Sequence, residues 1–219
     1  MNYGAVVFDL DGTLIDSLED LADAVNQALD MNGLPTHATG CFKYFIGNGA
    51  RTMVSRALPE NKRNDEAIVE KCLDDFNIIY SRAFNVKTKL YEGIPELLDE
   101  LSERGVKKTI LTNKPHLFTE KYVDDLLADW NFEVVIGHTD EIPRKPDPWG
   151  ALRISSELGI DSSQMVYLGD SGVDMLTAVG AGMLPVGVLW GFRTSDELRK
   201  NGAEHLIETP MELLSIVNL

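Results

Sequence analysis

Asp9 and Asp11 stand two residues apart, just after the apolar run Gly4-Ala5-Val6-Val7-Phe8 and just before Gly12. In the turn that follows a strand, both carboxylates can approach one bound phosphoryl group. One can attack phosphorus while the other protonates the leaving oxygen and then activates water. Gly12 lets the backbone approach such a ligand with no Cβ in the way. Three more segments offer complementary groups. Thr112 supplies a hydroxyl for a non-bridging phosphoryl oxygen, Lys145 supplies positive charge, and Asp170 and Asp174 supply two further carboxylates. Two carboxylates about 4 Å apart repel by roughly 4 kcal/mol at an effective dielectric of 20. Three or four in one cleft therefore need protons or a metal ion to neutralise them. An oxygen-rich set without His or Cys selects a hard cation, and phosphate chemistry favours Mg2+ over Ca2+. Taken singly, each residue has a plainer reading: turn former, helix cap or solvated loop lysine. The case for a site is their convergence at one edge of one sheet.

That convergence depends on the elements that carry them. Residues 4–8 form an apolar run suited to a strand buried on both faces. From Tyr91 onward strand and helix patterns alternate. Helices are expected at 94–104, 115–128, 148–158 and 174–181, and strands at 108–112, 133–136, 165–168 and 184–188, with a final strand at 205–207 and helix at 211–217. Alternation of this kind predicts an α/β fold: a Rossmann-like parallel sheet with helices on both faces, whose ligands bind at the carboxyl ends of the strands. The stretch between has no strand pattern. Ser17 followed by Asp20 reads as a helix start, with Leu18, Leu21, Ala22, Val25 and Leu29 as one apolar stripe that Gly33 and Pro35 end. A second long helix spans about 65–84, with Ile68, Val69, Cys72, Phe76, Ile79 and Ala83 on its buried side; shorter pieces over 42–57 are broken by Gly47-Asn48-Gly49. The division is therefore an α/β core of residues 1–15 and 88–219 and an inserted all-helical domain of residues 16–87.

Composition sets outer bounds. The chain has 219 residues, 44% of them hydrophobic, enough for one domain with an insertion. Its formal charge of −15 repels a nucleic-acid backbone and an anionic membrane, so neither is expected as a partner. A phosphate site on such a chain needs its own local positive charge. Cys41 and Cys72 are too few for a disulfide framework, no stretch approaches a membrane span, and no secretory leader is visible, so a cytoplasmic protein is expected; monomer and homodimer are both open.

Four motifs in order carry a family resemblance. Asp9-Leu10-Asp11-Gly12-Thr13-Leu14-Ile15-Asp16-Ser17 resembles the first motif of the haloacid dehalogenase superfamily, Leu111-Thr112-Asn113-Lys114 the second, Lys145-Pro146 the third and Gly169-Asp170-Ser171-Gly172-Val173-Asp174 the fourth. The resemblance spans essentially the whole chain, and the helical insertion matches the family's cap. Trp190-Gly191-Phe192-Arg193 with Gly202-Ala203 is most similar to the phosphoglycolate phosphatase branch. The resemblance implies Asp9 as the nucleophile that forms an aspartyl-phosphate, and Asp11 as general acid and base that lends its backbone carbonyl to Mg2+. It also implies Thr112 and Lys145 as holders of the phosphoryl group, with Asn113 assisting by hydrogen bonding. Asp9, Asp11, Asp170 and Asp174 become the metal set, Asp174 either ligating the ion or holding its waters. The family's dehalogenases lack the second aspartate, so Asp11 argues against dehalogenation, and Thr13 in place of the mutases' typical Val leans towards a phosphatase.

The cap is expected to cover the site and to recognise the leaving group. Gly47, Asn48, Gly49 and Arg51 are its candidate contacts, Arg51 pairing bidentately with a substrate carboxylate or, on the plainer reading, sitting solvated at a helix junction. His116 and Trp190 read as a helix-start surface residue and a packing residue. A small phosphorylated metabolite is the expected substrate, with 2-phosphoglycolate first among candidates. A sugar-phosphate mutase, pyrophosphatase or nucleotidase on the same scaffold, and a phospho-accepting signalling domain from a different class, remain open at this stage.

Overall fold

The computed structural model describes residues 3–217. Its contacts divide the chain into two compact units. One comprises the residues up to Ile15 and those from Leu90 onward; the other is Asp16–Lys89.

The first unit is built on a six-stranded parallel sheet. β1 (Ala5–Phe8) leads to the crossing segment β2 (Ile15–Asp16) and into the second unit, which holds α1 (Leu18–Met31), α2 (Ala50–Ala57) and α3 (Glu66–Ala83). The chain returns through β3 (Lys89–Leu90) to α4 (Ile94–Glu103), β4 (Lys107–Pro115), α5 (His116–Leu126), β5 (Val134–His138) and α6 (Trp149–Leu158). β6 (Met165–Gly169), α7 (Gly172–Ala181), β7 (Leu184–Val188), α8 (Ser195–Lys200), β8 (His205–Ile207) and α9 (Leu213–Val217) complete it. The strand order is β5-β4-β1-β6-β7-β8. The chain thus winds outward from β1 in one direction through β4 and β5, and then in the other through β6 to β8. Crossovers of one hand running in opposite directions place helices on opposite faces.

Burial bears this out. Ala5 and Val7 of β1 pack with Leu111, Ile136, Met165 and Tyr167 against Ala151 and Ile154 of α6 and Ala178 and Ala181 of α7. Val6, Phe8, Ile110, Val166 and Leu168 point the other way and are fully buried too. The short apolar runs of the sequence are strands because each lies inside a sheet covered on both sides. Each large side chain so buried contributes roughly 2 kcal/mol.

Three expectations need correction. Ser17 precedes α1 without a side-chain cap bond. Asp20 is instead buried, and its carboxylate accepts hydrogen bonds from the backbone N–H groups of Val86 (3.1 Å), Lys87 (3.0 Å) and Thr88 (2.9 Å) and from the Thr88 hydroxyl (2.7 Å). A carboxylate offered a run of backbone donors satisfies more of them than a single cap would. On α3 the buried stripe is Val69, Cys72, Phe76 and Tyr80, with Tyr80 stacked on Phe76 at 5.2 Å between centroids. Ala83, one three-residue step past Tyr80 and the last residue of α3, is exposed. Finally, α8 lies outside the expected helices. Thr194, whose hydroxyl accepts from the backbone of Glu197, was its sequence signal.

Candidate active site

β4, β1 and β6 are neighbours in the sheet, so their carboxyl ends meet. Asp9 follows β1 directly, Thr112-Asn113-Lys114 occupy the last residues of β4, and Asp170 follows β6. Asp174 sits in the first turn of α7, and Lys145 comes from the loop between β5 and α6. The parallel register sets Phe8 beside Ile110 and Leu168, which aligns the residues that follow.

Lys145 is the electrostatic centre. Its ammonium lies 2.6 Å from Asp174 Oδ1 and 2.8 Å from Asp9 Oδ1. The first contact is also a directed hydrogen bond. The second is an ion pair without hydrogen-bond geometry, so the buried Asp9 Oδ1 receives no hydrogen bond. The lysine is held by its backbone: Asn113 accepts from Lys145 N–H at 2.8 Å and donates to its carbonyl at 3.1 Å. Asn113 therefore acts here on the loop that carries Lys145. The Lys145–Pro146 peptide bond is cis.

Asp174 is anchored from the other side. As the third residue of α7 it accepts at Oδ2 from the Ser171 backbone (3.0 Å) and hydroxyl (2.5 Å), the reciprocal arrangement of a capping box. Asp170 accepts at 2.7 Å from the backbone N–H of Phe192. Two glycines make this possible. A Cβ on Gly12, whose φ is +85°, would lie 2.3 Å from Asp170 Oδ2; one on Gly191 would lie 2.3 Å from Asp170 Cβ and 2.4 Å from the Gly12 carbonyl. Trp190 packs beside them, its indole N–H donating to the Thr13 carbonyl at 3.0 Å.

Crowding shows in the ionisation. Burial, then the Asp174 charge, pushes the Asp9 carboxyl up to about 7 against the opposing pull of Lys145. Burial, then Asp174 and Asp9, holds Asp170 well above the usual carboxylate range, opposed by the Phe192 N–H and Arg193. For Lys145, burial alone would lower the pKa, but Asp174 and Asp9 outweigh it and raise it well above the ordinary lysine value.

Asp9, Asp170 and Asp174 each bring a carboxylate oxygen to within 4.8 Å of the others. With all three ionised and Lys145 protonated, two negative charges remain uncompensated. Three buried oxygen donors, one with no hydrogen bond, fit a hard divalent cation such as Mg2+. The Asp11 carboxylate is not part of this set; the role expected for Asp11 towards the metal is that of its backbone carbonyl. Its two carboxylate oxygens lie 3.0 and 3.1 Å from the ammonium of Lys114. Thr112 is buried, and its hydroxyl accepts from the Lys114 backbone at 3.2 Å.

The structure thus brings together Asp9, Asp11, Gly12, Thr112, Asn113, Lys145, Asp170 and Asp174. Gly47, Asn48, Gly49 and Arg51 belong to the helical unit. There, Gly47 and Gly49 take positive φ of 111° and 86°, and Gly49 precedes α2. The Arg51 guanidinium is forked between Glu66 and Glu70 of α3, chiefly Glu70 raising its pKa. His116 begins α5, accepting from Gly137 N–H at 3.2 Å. Lys114, Ser171 and Gly191 join the site although no role is expected of them from sequence; each lies in a segment that carries the family resemblance.

The profile of the haloacid dehalogenase-like hydrolases matches residues 6–188. The chain belongs to that family. It is 33% identical over 212 residues to a phosphoglycolate phosphatase of Pseudomonas syringae pv. tomato, covering 95% of this chain and 78% of that one. It is 32% identical over 213 residues to the phosphoglycolate phosphatase of Colwellia psychrerythraea, covering 95% and 94%. Among solved structures it resembles a Lactobacillus delbrueckii subsp. bulgaricus protein provisionally assigned as a phosphoglycolate phosphatase, at a TM-score of 0.92, with 30% identity over 99% of both chains.

Proposed function

We propose that this chain is a Mg2+-dependent phosphatase that hydrolyses a small phosphate monoester through an aspartyl-phosphate on Asp9. The observation that carries the reading is the buried Asp9 carboxylate, ion-paired to Lys145 and set among Asp170 and Asp174 at the carboxyl end of the central strand. In this reading an Asp9 oxygen forms a bond to phosphorus as the ester P–O bond breaks. Asp11 gives its proton to the departing alkoxide oxygen. Water then attacks phosphorus, Asp11 takes up the water's proton, and Asp9 leaves as a carboxylate. Lys145 and the Thr112 hydroxyl hold the non-bridging oxygens, and Asn113 fixes the loop that presents Lys145. Asp9, Asp170 and Asp174 would hold the metal ion, which supplies charge neutralisation for an incoming phosphate dianion.

The preferred substrate is 2-phosphoglycolate, supported by the names of relatives about a third identical over nearly the whole chain. The helical unit acts as the cap that selects the leaving group. The test is phosphate release from a panel of small phosphate esters with and without Mg2+. Turnover of 2-phosphoglycolate that stops on chelation, and in Asp9→Asn, supports the proposal; isomerisation of a sugar phosphate without released phosphate would redirect it to a mutase.

A further inference from the structure

Asp11 differs from the other three aspartates in its partner. Asp9, Asp170 and Asp174 converge on one point, while the carboxylate of Asp11 meets Lys114 with both oxygens, at 3.0 and 3.1 Å. Lys114 is well placed to fix it. Its side chain is 3% exposed, against 12% for Asp11, and its ammonium stands 4.8 Å from the centroid of the Tyr122 ring on α5. Its backbone is held as well: its N–H donates to the Thr112 hydroxyl and its carbonyl accepts from the Thr119 hydroxyl at 3.4 Å. Lys114 lies in the stretch between Leu111 and Pro115 over which the register of β4 against β5 shifts.

Two carboxylates placed two residues apart beside a cation site would both be drawn to the cation by simple attraction. A carboxylate oxygen committed to the metal cannot carry the proton a leaving oxygen needs, whereas an oxygen that accepts from an ammonium keeps a lone pair that can take one up, and the ammonium stabilises the carboxylate left when the proton is given away. We propose that Lys114 is a positioning residue: it holds the Asp11 carboxylate away from the Asp9–Asp170–Asp174 cluster and keeps it aligned for proton transfer. The inference rests on the phosphatase reading, in which Asp11 is the general acid and base. It assigns a reason for the lysine that follows Thr112 and Asn113, which the phosphoryl-binding roles leave unexplained.

Leaving-group dependence separates this role from a structural one. An alkyl phosphate needs its leaving oxygen protonated, whereas p-nitrophenyl phosphate expels a stable anion without help. General acid catalysis is worth about 10²-fold or more. Lys114→Met and Lys114→Gln, each checked for native circular dichroism and melting, would be compared with wild type in single-turnover formation of the phospho-enzyme from both esters. The expected result is a loss of about 10²-fold with 2-phosphoglycolate and under about fivefold with p-nitrophenyl phosphate. Lys114→Arg should recover part of the loss. In an Asp11→Asn background, Lys114→Met should cost nothing more, since a residue acting through Asp11 has no effect once Asp11 is removed. Magnesium titration by calorimetry gives a readout apart from turnover: Lys114→Met should bind the metal more tightly than wild type, because Asp11 is released towards the cluster. Equal losses on both esters, or a further loss in the Asp11→Asn background, would overturn the inference alone. A wild-type protein that releases phosphate from neither ester would overturn the phosphatase reading, and this inference with it.

Discussion

Replacing Asp9 by Asn should abolish turnover and yet stabilise the metal-free protein. Its carboxyl is raised from the model-compound value of 3.8 to about 7, first by burial and then by Asp174. A carboxyl whose folded pKa exceeds its unfolded pKa binds protons more tightly in the folded state. Its cost to stability is therefore absent below about pH 4, grows as the pH rises, and is complete above about pH 7. At about 1.4 kcal/mol per pH unit the full cost is roughly 4 kcal/mol. Neighbouring carboxyls that take up protons relieve part of it, leaving about 2–4 kcal/mol for Asn to recover. For a chain of this size that is roughly 5–15 °C in melting temperature. The assay is thermal unfolding in EDTA at pH 8 and at pH 4.5. Asp9→Asn should melt higher than wild type at pH 8, and its advantage should shrink at pH 4.5. Saturating Mg2+ should then raise wild type more than the variant, because the wild-type site binds the ion better. An Asp9→Asn protein that is less stable than wild type at pH 8 in EDTA would refute the charge-crowding argument.

Other variants probe other parts of the architecture. Lys145→Met leaves buried carboxylates without their ammonium, so the metal-free protein should lose about 3–5 kcal/mol by urea denaturation, and phosphate release should fall below detection. Gly12→Ala forces a Cβ to within 2.3 Å of Asp170 Oδ2 at a φ of +85°; Mg2+ affinity and turnover should both fall at least tenfold, measured by calorimetry and phosphate release. Asp20→Ala removes the acceptor of the four bonds from residues 86–88, and should destabilise the helical unit by about 3 kcal/mol in hydrogen-exchange measurements.

Much of the site was legible because the chemistry is concentrated at strand ends. A short apolar run that stops at a polar side chain marks both a strand and its carboxyl end, and Asp9, Thr112 and Asp170 lie where that pattern puts them. The partners of these groups were harder to see. Asn113 suggested a ligand contact, but its amide reaches across 32 residues to the backbone of Lys145, a pairing no local pattern encodes. Lys114 closes the second motif with no role legible in sequence, yet its ammonium lies on Asp11, 103 residues away. Asp20 matched a capping pattern, yet a segment 66 to 68 residues later in the chain offered it more donors. Arg51 had the right type and a glycine-flanked setting for anion recognition, but α3 supplies two carboxylates of its own. Local spacing identified which residues carry charge; the tertiary structure decided which opposite charges they meet.

The most direct test of the account is capture of the phospho-enzyme. Wild-type protein would be mixed with radiolabelled 2-phosphoglycolate and Mg2+, quenched in acid within milliseconds, and digested for peptide mapping. The account predicts transient label on the peptide containing Asp9 and none in Asp9→Asn, which should also release no phosphate. Undiminished phosphate release by Asp9→Asn, or label carried on a different residue, would contradict it.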